Sequence, residues 1–350
     1  AAAIAVNPVY ENERLAELTH WGAPWANLRV VVVGMGTSGD AVTDVLAQLG
    51  AKIVVIDGAD TPEKRERIEI YKNAYGPVEG LFGPEHMRAL PLVDGQEPEL
   101  VVTSPGVRPD HPVMLDAYER RIQIWGDVEL AWRLNERSDR PTPKWLCLTG
   151  TNGKTTTVGM VDSILKAAGK KAIQVGNVGM PIVYAIADDE PYKFFAVELS
   201  SFQLHWTHSL SPYASVVLNI AEDHVDWHGS FERYKADKAR VYEHTQVACI
   251  FNTDHVDTLR MVENADVIEG ARAIGFSSTE MPAVSMLGLA EDIMVDRAFL
   301  KNRYNEAYEL AVLEDLAPAP GKMPAKHTVE NALAAAALCR AADIDPKAVG

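Results

Sequence analysis

The residues best suited to chemistry gather between Leu146 and Thr157, in the run Leu-Cys-Leu-Thr-Gly-Thr-Asn-Gly-Lys-Thr-Thr-Thr. An apolar run enters a small turn of Gly150, Thr151, Asn152 and Gly153. After Lys154, Thr155 and Thr156, the spacing of Val158, Val161, Ile164 and Leu165 predicts a helix. Strand, tight turn and helix start together form a phosphate cradle. Backbone N–H groups and the helix dipole face an anion, the lysine reaches the terminal phosphates, and a hydroxyl holds Mg²⁺. The common form of the loop has a further glycine where this chain has Leu148, so this is a variant with Gly150 nearer the lysine. Gly-Lys-Thr alone also occurs as a surface capping turn. The strand before it and the helix after it favour a nucleotide triphosphate.

Three further side chains suit that centre. Glu198 follows the apolar run Phe194–Val197 and would point into the same crevice, where Mg²⁺ needs one or two hard oxygens besides phosphate. Its competing role is a helix N-cap. His224, in Glu222-Asp223-His224, follows the strand Ala214–Leu218, although a lone histidine is more often structural. Lys238 lies on a helix expected from about Ser230 to Glu243, where a lysine ordinarily faces solvent. These residues alone describe an ATP- or GTP-using Mg²⁺ enzyme, with hydrolase, kinase and ligase all open.

The elements that position them alternate strand and helix, which predicts α/β architecture with a parallel sheet in the first unit. Residues 1–27 carry an amphipathic stretch (Leu15, Leu18, Trp21, Trp25) expected to lie over the first domain. Arg29 to Gly34 is a buried-strand run feeding Gly34-Met35-Gly36-Thr37-Ser38-Gly39; a helix and a second strand capped by Asp57 follow. That is a dinucleotide fingerprint. A second phosphate loop and the lack of hydride chemistry argue against a dehydrogenase, leaving a pyrophosphate-bearing ligand or a close helix–strand contact. The polar stretch from Asn135 to Lys144, with Pro141 and Pro143, reads as a linker. The expected domains are therefore a Rossmann-like unit over 1–142 and a P-loop-type α/β unit over 143–350. Short β elements are expected from Ser277 to Lys322, then an alanine-rich helix from Val329 to Ala342.

The chain has 350 residues and a net charge of −16, which argues against broad binding to nucleic acid or anionic membrane and makes Mg²⁺ the natural counter-charge for phosphates. No apolar run approaches the ~20 residues of a membrane span. Ala1 to Tyr10 lacks the basic flank and apolar core of an export signal, and Cys147, Cys249 and Cys339 are isolated, so a reducing cytoplasm is expected.

Gly150-Thr151-Asn152-Gly153-Lys154-Thr155-Thr156, Glu198-Leu199-Ser200-Ser201-Phe202-Gln203, Asn219-x-x-Glu222-Asp223-His224-x-Asp226 and His327-x-x-x-Asn331-Ala332 occur in that order. Together they resemble the Mur ligase family of ATP-dependent amide-forming enzymes, over roughly residues 28 to 345. Gly126-Asp127-Val128-Glu129-Leu130 and the Ser-Ser-Phe-Gln-Leu run resemble its D-glutamate-adding branch. The resemblance implies that ATP phosphorylates the carboxylate of UDP-N-acetylmuramoyl-L-alanine and that the D-glutamate amine displaces phosphate from the acyl phosphate. It assigns Lys154 to the β- and γ-phosphates and Thr155 with Glu198 to a first Mg²⁺. It gives His224 to a second Mg²⁺, supported by a carbamylated Lys238. Asn331 would reach adenine, and Asn177 and Ser200 substrate or phosphate. Gly36, Thr37, Ser38, Asp57, Ser104 and Gly106 would surround the uridine diphosphate. A monomer is expected. Thr328 replaces the family's usual asparagine, and Gly58-Ala59 stands where some members have Thr-Arg. The family's third, C-terminal domain, which helps to bind D-glutamate, would begin where the sequence stops, so poor turnover is expected of these residues alone.

Overall fold

A computed structural model describes residues 6–350. The first five residues, part of the stretch expected to lack an export signal, lie outside it. Two sheets organise the chain. The first holds β1 (Arg29–Val33), β2 (Lys52–Asp57), β3 (Val78–Phe82), β4 (Leu100–Thr103) and β5 (Ile124–Trp125) in the order β3-β2-β1-β4-β5, all parallel. Val30 to Val33 are buried on both faces, which is why the run is continuously apolar. The second sheet holds β6 (Lys144–Thr149), β7 (Ala172–Gly176), β8 (Phe194–Glu198), β9 (Ala214–Val217), β10 (Ala248–Asn252), β11 (Arg272–Phe276), β12 (Met286–Ala290), β13 (Ile293–Asp296) and β14 (Tyr308–Val312). Their order is β14-β13-β12-β11-β10-β9-β6-β8-β7.

The helices that matter for the site are α1 (Thr37–Gln48), α2 (Asp127–Leu134), α3 (Lys154–Ala167), α4 (Ser201–His205), α5 (Val225–His228), α6 (Phe231–Ala239) and α7 (Lys326–Ala341). Helix α7 packs against α3 and buries nearly its whole length, so its alanines fill a core rather than mark a surface helix.

The second sheet is mixed: β12–β13 and β13–β14, in the stretch expected to hold short β elements, are antiparallel. Only Glu291 and Asp292, the former at φ 57°, separate β12 from β13, and so short a connection can only form a hairpin.

The stretch from Asn135 to Lys144 is irregular but held down. Arg137 Nη1 donates to Ile186 O (2.9 Å), Arg140 Nη1 to Asp188 O (2.6 Å), and Trp145 Nε1 to Asn135 Oδ1 (2.9 Å). A helix of the first unit also meets the second directly. Buried Glu129 on α2 accepts from the backbone N–H groups of His208 (2.8 Å) and Ser209 (2.7 Å), and from Arg133 Nε (2.8 Å). Burial opposes the charge of that carboxyl, but His208 and Arg133 hold it below the usual carboxylate range.

Candidate active site

Each sheet presents a glycine turn at the C-terminal end of a central strand flanked by two others, where ligands of open α/β sheets bind. In the first sheet, Gly34 (φ 93°) and Gly39 are structural. A Cβ on Gly39 would lie 1.8 Å from Gly34 O, and one on Gly34 would lie 2.4 Å from Ser104 Oγ. Gly36 is different: its φ of −82° suits any residue and nothing lies within 4 Å of a Cβ there. The two therefore separate fold from ligand. Gly39→Ala is expected to destabilise the protein by about 1–3 kcal/mol, whereas Gly36→Ala should melt like the parent and lose affinity for a uridine diphosphate. Thermal unfolding and titration calorimetry check both.

Asp57 accepts from Met35 N (2.7 Å) and Ala59 N (2.9 Å) and pairs with Lys64 (3.1 Å). Burial works against its charge, but those partners hold it below the usual carboxylate range. It thus braces the glycine turn, with Thr37 and Ser38 opening α1 above it. Ser38 lies beside buried Asp127, whose carboxyl burial pushes up. Gly106 O accepts from Trp227 Nε1 (3.1 Å), so the turn after β4 touches the segment that carries His224.

In the second sheet, β6 runs between β8 and β9 and delivers the loop Gly150–Gly153 into α3. Gly153 has φ 84°, and a Cβ there would lie 2.7 Å from Asn331 Oδ1, so Asn331 packs on the loop. The loop is also clamped from β9. Asn152 N donates to Asn219 Oδ1 and Asn219 Nδ2 to Asn152 O, each at 2.8 Å, while Thr151 Oγ1 lies 3.0 Å from Tyr234 Oη. Thr155 and Thr156 are exposed at the helix start.

Three predicted residues meet here. Lys154 Nζ donates to Gly150 O (2.8 Å), and so does Lys238 Nζ (2.8 Å), which also donates to Thr149 Oγ1 (3.1 Å). Glu198, opposite Leu148 in the β6–β8 register, has Oε1 3.4 Å from Thr155 Oγ1, while its buried Oε2 finds no hydrogen-bond partner among the described residues. Burial pushes the Glu198 carboxyl up, opposed by Lys154, Asn177 and Thr155. Burial lowers Lys154, opposed by Glu198 and Asp223. Lys238 is 2% exposed, so the solvent-facing role is wrong; burial, and then the neighbouring Lys154, lower it to about 7. The N-cap role for Glu198 fails too, because Ser200 caps α4 in a capping box with Gln203.

His224 is placed differently. It sits half-exposed at φ 47°, edge-on to Phe202 (4.8 Å between rings) and 6.5 Å from the Tyr234 ring. Asn177 follows β7, its N–H bonded to Glu198 O (2.8 Å). Asn219, Tyr234 and Thr149 escaped prediction. Tyr234 could have been found, since it lies four residues before Lys238 on the same helical face.

A family model for the Mur ligase middle domain matches residues 148–339. The chain belongs to the Mur ligase family. A second model, the Mur ligase MurD-like N-terminal domain, matches residues 28–126. A Leifsonia xyli protein named UDP-N-acetylmuramoylalanine–D-glutamate ligase is 45% identical over 345 residues, 95% of this chain and 65% of that one. One of the same name from Tropheryma whipplei is 35% identical over 96% of this chain and 68% of its own length. The chain thus spans about 65% of the length of several curated Mur ligases that it matches. Among solved structures, the Neisseria meningitides UDP-N-acetylmuramate:L-alanyl-gamma-D-glutamyl-meso-diaminopimelate ligase superposes with a TM-score of 0.53 at 14% identity, covering 91% of this chain and 95% of that one; this likeness concerns the fold. Among the described residues, no helix is long and apolar enough to cross a membrane.

Proposed function

We propose that this Mur ligase joins D-glutamate to the alanyl carboxylate of UDP-N-acetylmuramoyl-L-alanine at the expense of ATP, in the making of peptidoglycan precursors. The observation that carries it is the meeting of Lys154 and Lys238 on Gly150 O, with Glu198 close enough to feel both charges, beside a segment tied through Trp227 to Gly106 of the first unit. Relatives of 45% identity named for D-glutamate addition support the choice of amino acid. The unit over 1–142 would hold the uridine diphosphate through Gly36, Thr37, Ser38, Asp57, Ser104 and Gly106. The unit over 143–350 would hold ATP, with Asn331 near the base.

The loop N–H groups and Lys154 bind the phosphates and neutralise charge as the substrate carboxylate attacks the γ-phosphorus and ADP leaves. The D-glutamate amine then attacks the acyl carbon, orthophosphate departs and the amine sheds a proton. Asn177 and Ser200 flank that path. The pairing of Thr155 Oγ1 with Glu198, and the free Oε2, suit a Mg²⁺ ion, which when bound would screen the triphosphate. His224 and a carbamylated Lys238 would serve a second. Use of ATP places the reaction in the cytoplasm, and nothing in the mechanism requires more than a monomer. Titration calorimetry with UDP-N-acetylmuramoyl-L-alanine tests the assignment: saturable binding weakened by Gly36→Ala is expected, and no binding would refute it.

A further inference from the structure

The segments bearing Glu198, His224 and Lys238 are joined by a buried group that no step above uses. Asp237, next to Lys238 on α6, has its Oδ2 2.9 Å from His205 Nδ1 and 2.7 Å from His228 Nδ1. His228 Nε2 lies 2.9 Å from Ser201 Oγ. Arg240 Nε lies 3.4 Å from Asp237 Oδ1, and both imidazoles are fully buried. Burial opposes charge on Asp237, yet its two histidine partners hold it below the usual carboxylate range. Oδ2 is shared by both rings and a carboxylate oxygen accepts, so each Nδ1 carries the hydrogen, while His228 Nε2 and the Ser201 hydroxyl share the next bond.

The location gives the cluster its meaning. His205 ends α4, the helix that begins just after Glu198. His228 ends α5, which His224 opens. Ser201 begins α4, so the chain Ser201–His228–Asp237–His205 returns to the helix from which it started. One carboxylate oxygen therefore fixes the spacing of three loops whose tips must converge. These three side chains also lie close enough together to hold a metal ion. However, both Nδ1 atoms are already directed at the same oxygen, and Ser201 occupies the remaining nitrogen of His228.

We propose that Asp237, acting through His205 and His228 in their Nδ1–H form, is a positioning residue that sets the separations of Glu198, His224 and Lys238. This rests on the amide-ligase function proposed above. Outer partners of this kind are typically worth about 10–100-fold.

The test uses protein made from the complete reading frame. In Asp237→Asn, kcat is expected to fall about 10–100-fold with the KM for UDP-N-acetylmuramoyl-L-alanine within about twofold. The ¹⁵N-histidine spectrum should show two rings with hydrogen-bonded Nδ1–H in the parent, both displaced in the variant. If Asp237→Asn does not fold, His205→Leu and His205→Asn replace it. Asparagine keeps a donor where Nδ1 stands and should recover most of the kcat that leucine loses. Unchanged kcat in Asp237→Asn, equal kcat in the two His205 variants, or stoichiometric zinc in the purified protein would overturn the proposal. Should the parent show no amide formation, the ligase function falls by itself. Affinity for a non-hydrolysable Mg–ATP analogue then decides for Asp237: a tenfold or greater loss in Asp237→Asn supports the role, and an unchanged affinity overturns it.

Discussion

Lys154→Met is expected to lower ATP-dependent turnover by about 10³-fold while leaving the fold intact. The side chain is partly buried and, among the described residues, hydrogen-bonds to carbonyls of its own loop, Gly150 O (2.8 Å) and Thr151 O (3.4 Å), so methionine keeps the aliphatic stem and removes the charge. Those carbonyls offer the ammonium only weak compensation, and burial already lowers it. Such a group binds an incoming triphosphate more strongly than its resting partners. The phosphates gain charge at the bond to be broken, so the loss should appear in kcat rather than in the KM for the uridine substrate. Orthophosphate release beside a melting curve separates the two effects. A variant within tenfold of the parent would remove Lys154 from the chemistry.

Lys238→Ala should lower activity by about 10–100-fold, with short carboxylates such as acetate restoring part of it and bicarbonate alone none. Lys238 is sealed from solvent, and burial and then the neighbouring Lys154 lower it to about 7, so the free amine is far more accessible at neutral pH than in an ordinary lysine. Only the free amine reacts with CO₂, forming an N–C bond and releasing a proton. At fixed dissolved CO₂ the carbamate fraction should therefore rise as pH climbs from about 6 to about 8. The product replaces a cation by an anion beside Glu198 and Asp223, so cation binding must favour it. Intact-mass measurement under labelled CO₂ at several pH values reads the modification. An unmodified lysine together with no rescue by carboxylates would refute it.

The strand-loop-helix steps around Gly34 and Gly150 were legible because buried parallel strands are continuously apolar and glycine marks the turns. Legibility failed where a residue's role depends on distant neighbours. Lys238 looked like surface because its cover, Tyr234 and the β6 end, comes from the fold. His205, His228 and Asp237 carried no motif spacing, since three separate segments bring them together. Gly36 and Gly39 are alike in sequence, yet one faces open space and the other a carbonyl, a distinction set by the approach of α1 to β1. The antiparallel edge of the second sheet went unread because its strands are short and its hairpin turn, Glu291-Asp292, contains no glycine.

The most direct measurement is orthophosphate release by protein made from the complete reading frame, given Mg–ATP and UDP-N-acetylmuramoyl-L-alanine, with D-glutamate, L-alanine, L-lysine and meso-diaminopimelate supplied in turn and products identified by mass. Release that requires D-glutamate, matches amide formed one for one and is lost in Lys154→Met is the expected result. Release with a different amino acid, or ATP hydrolysis without amide, would contradict the account.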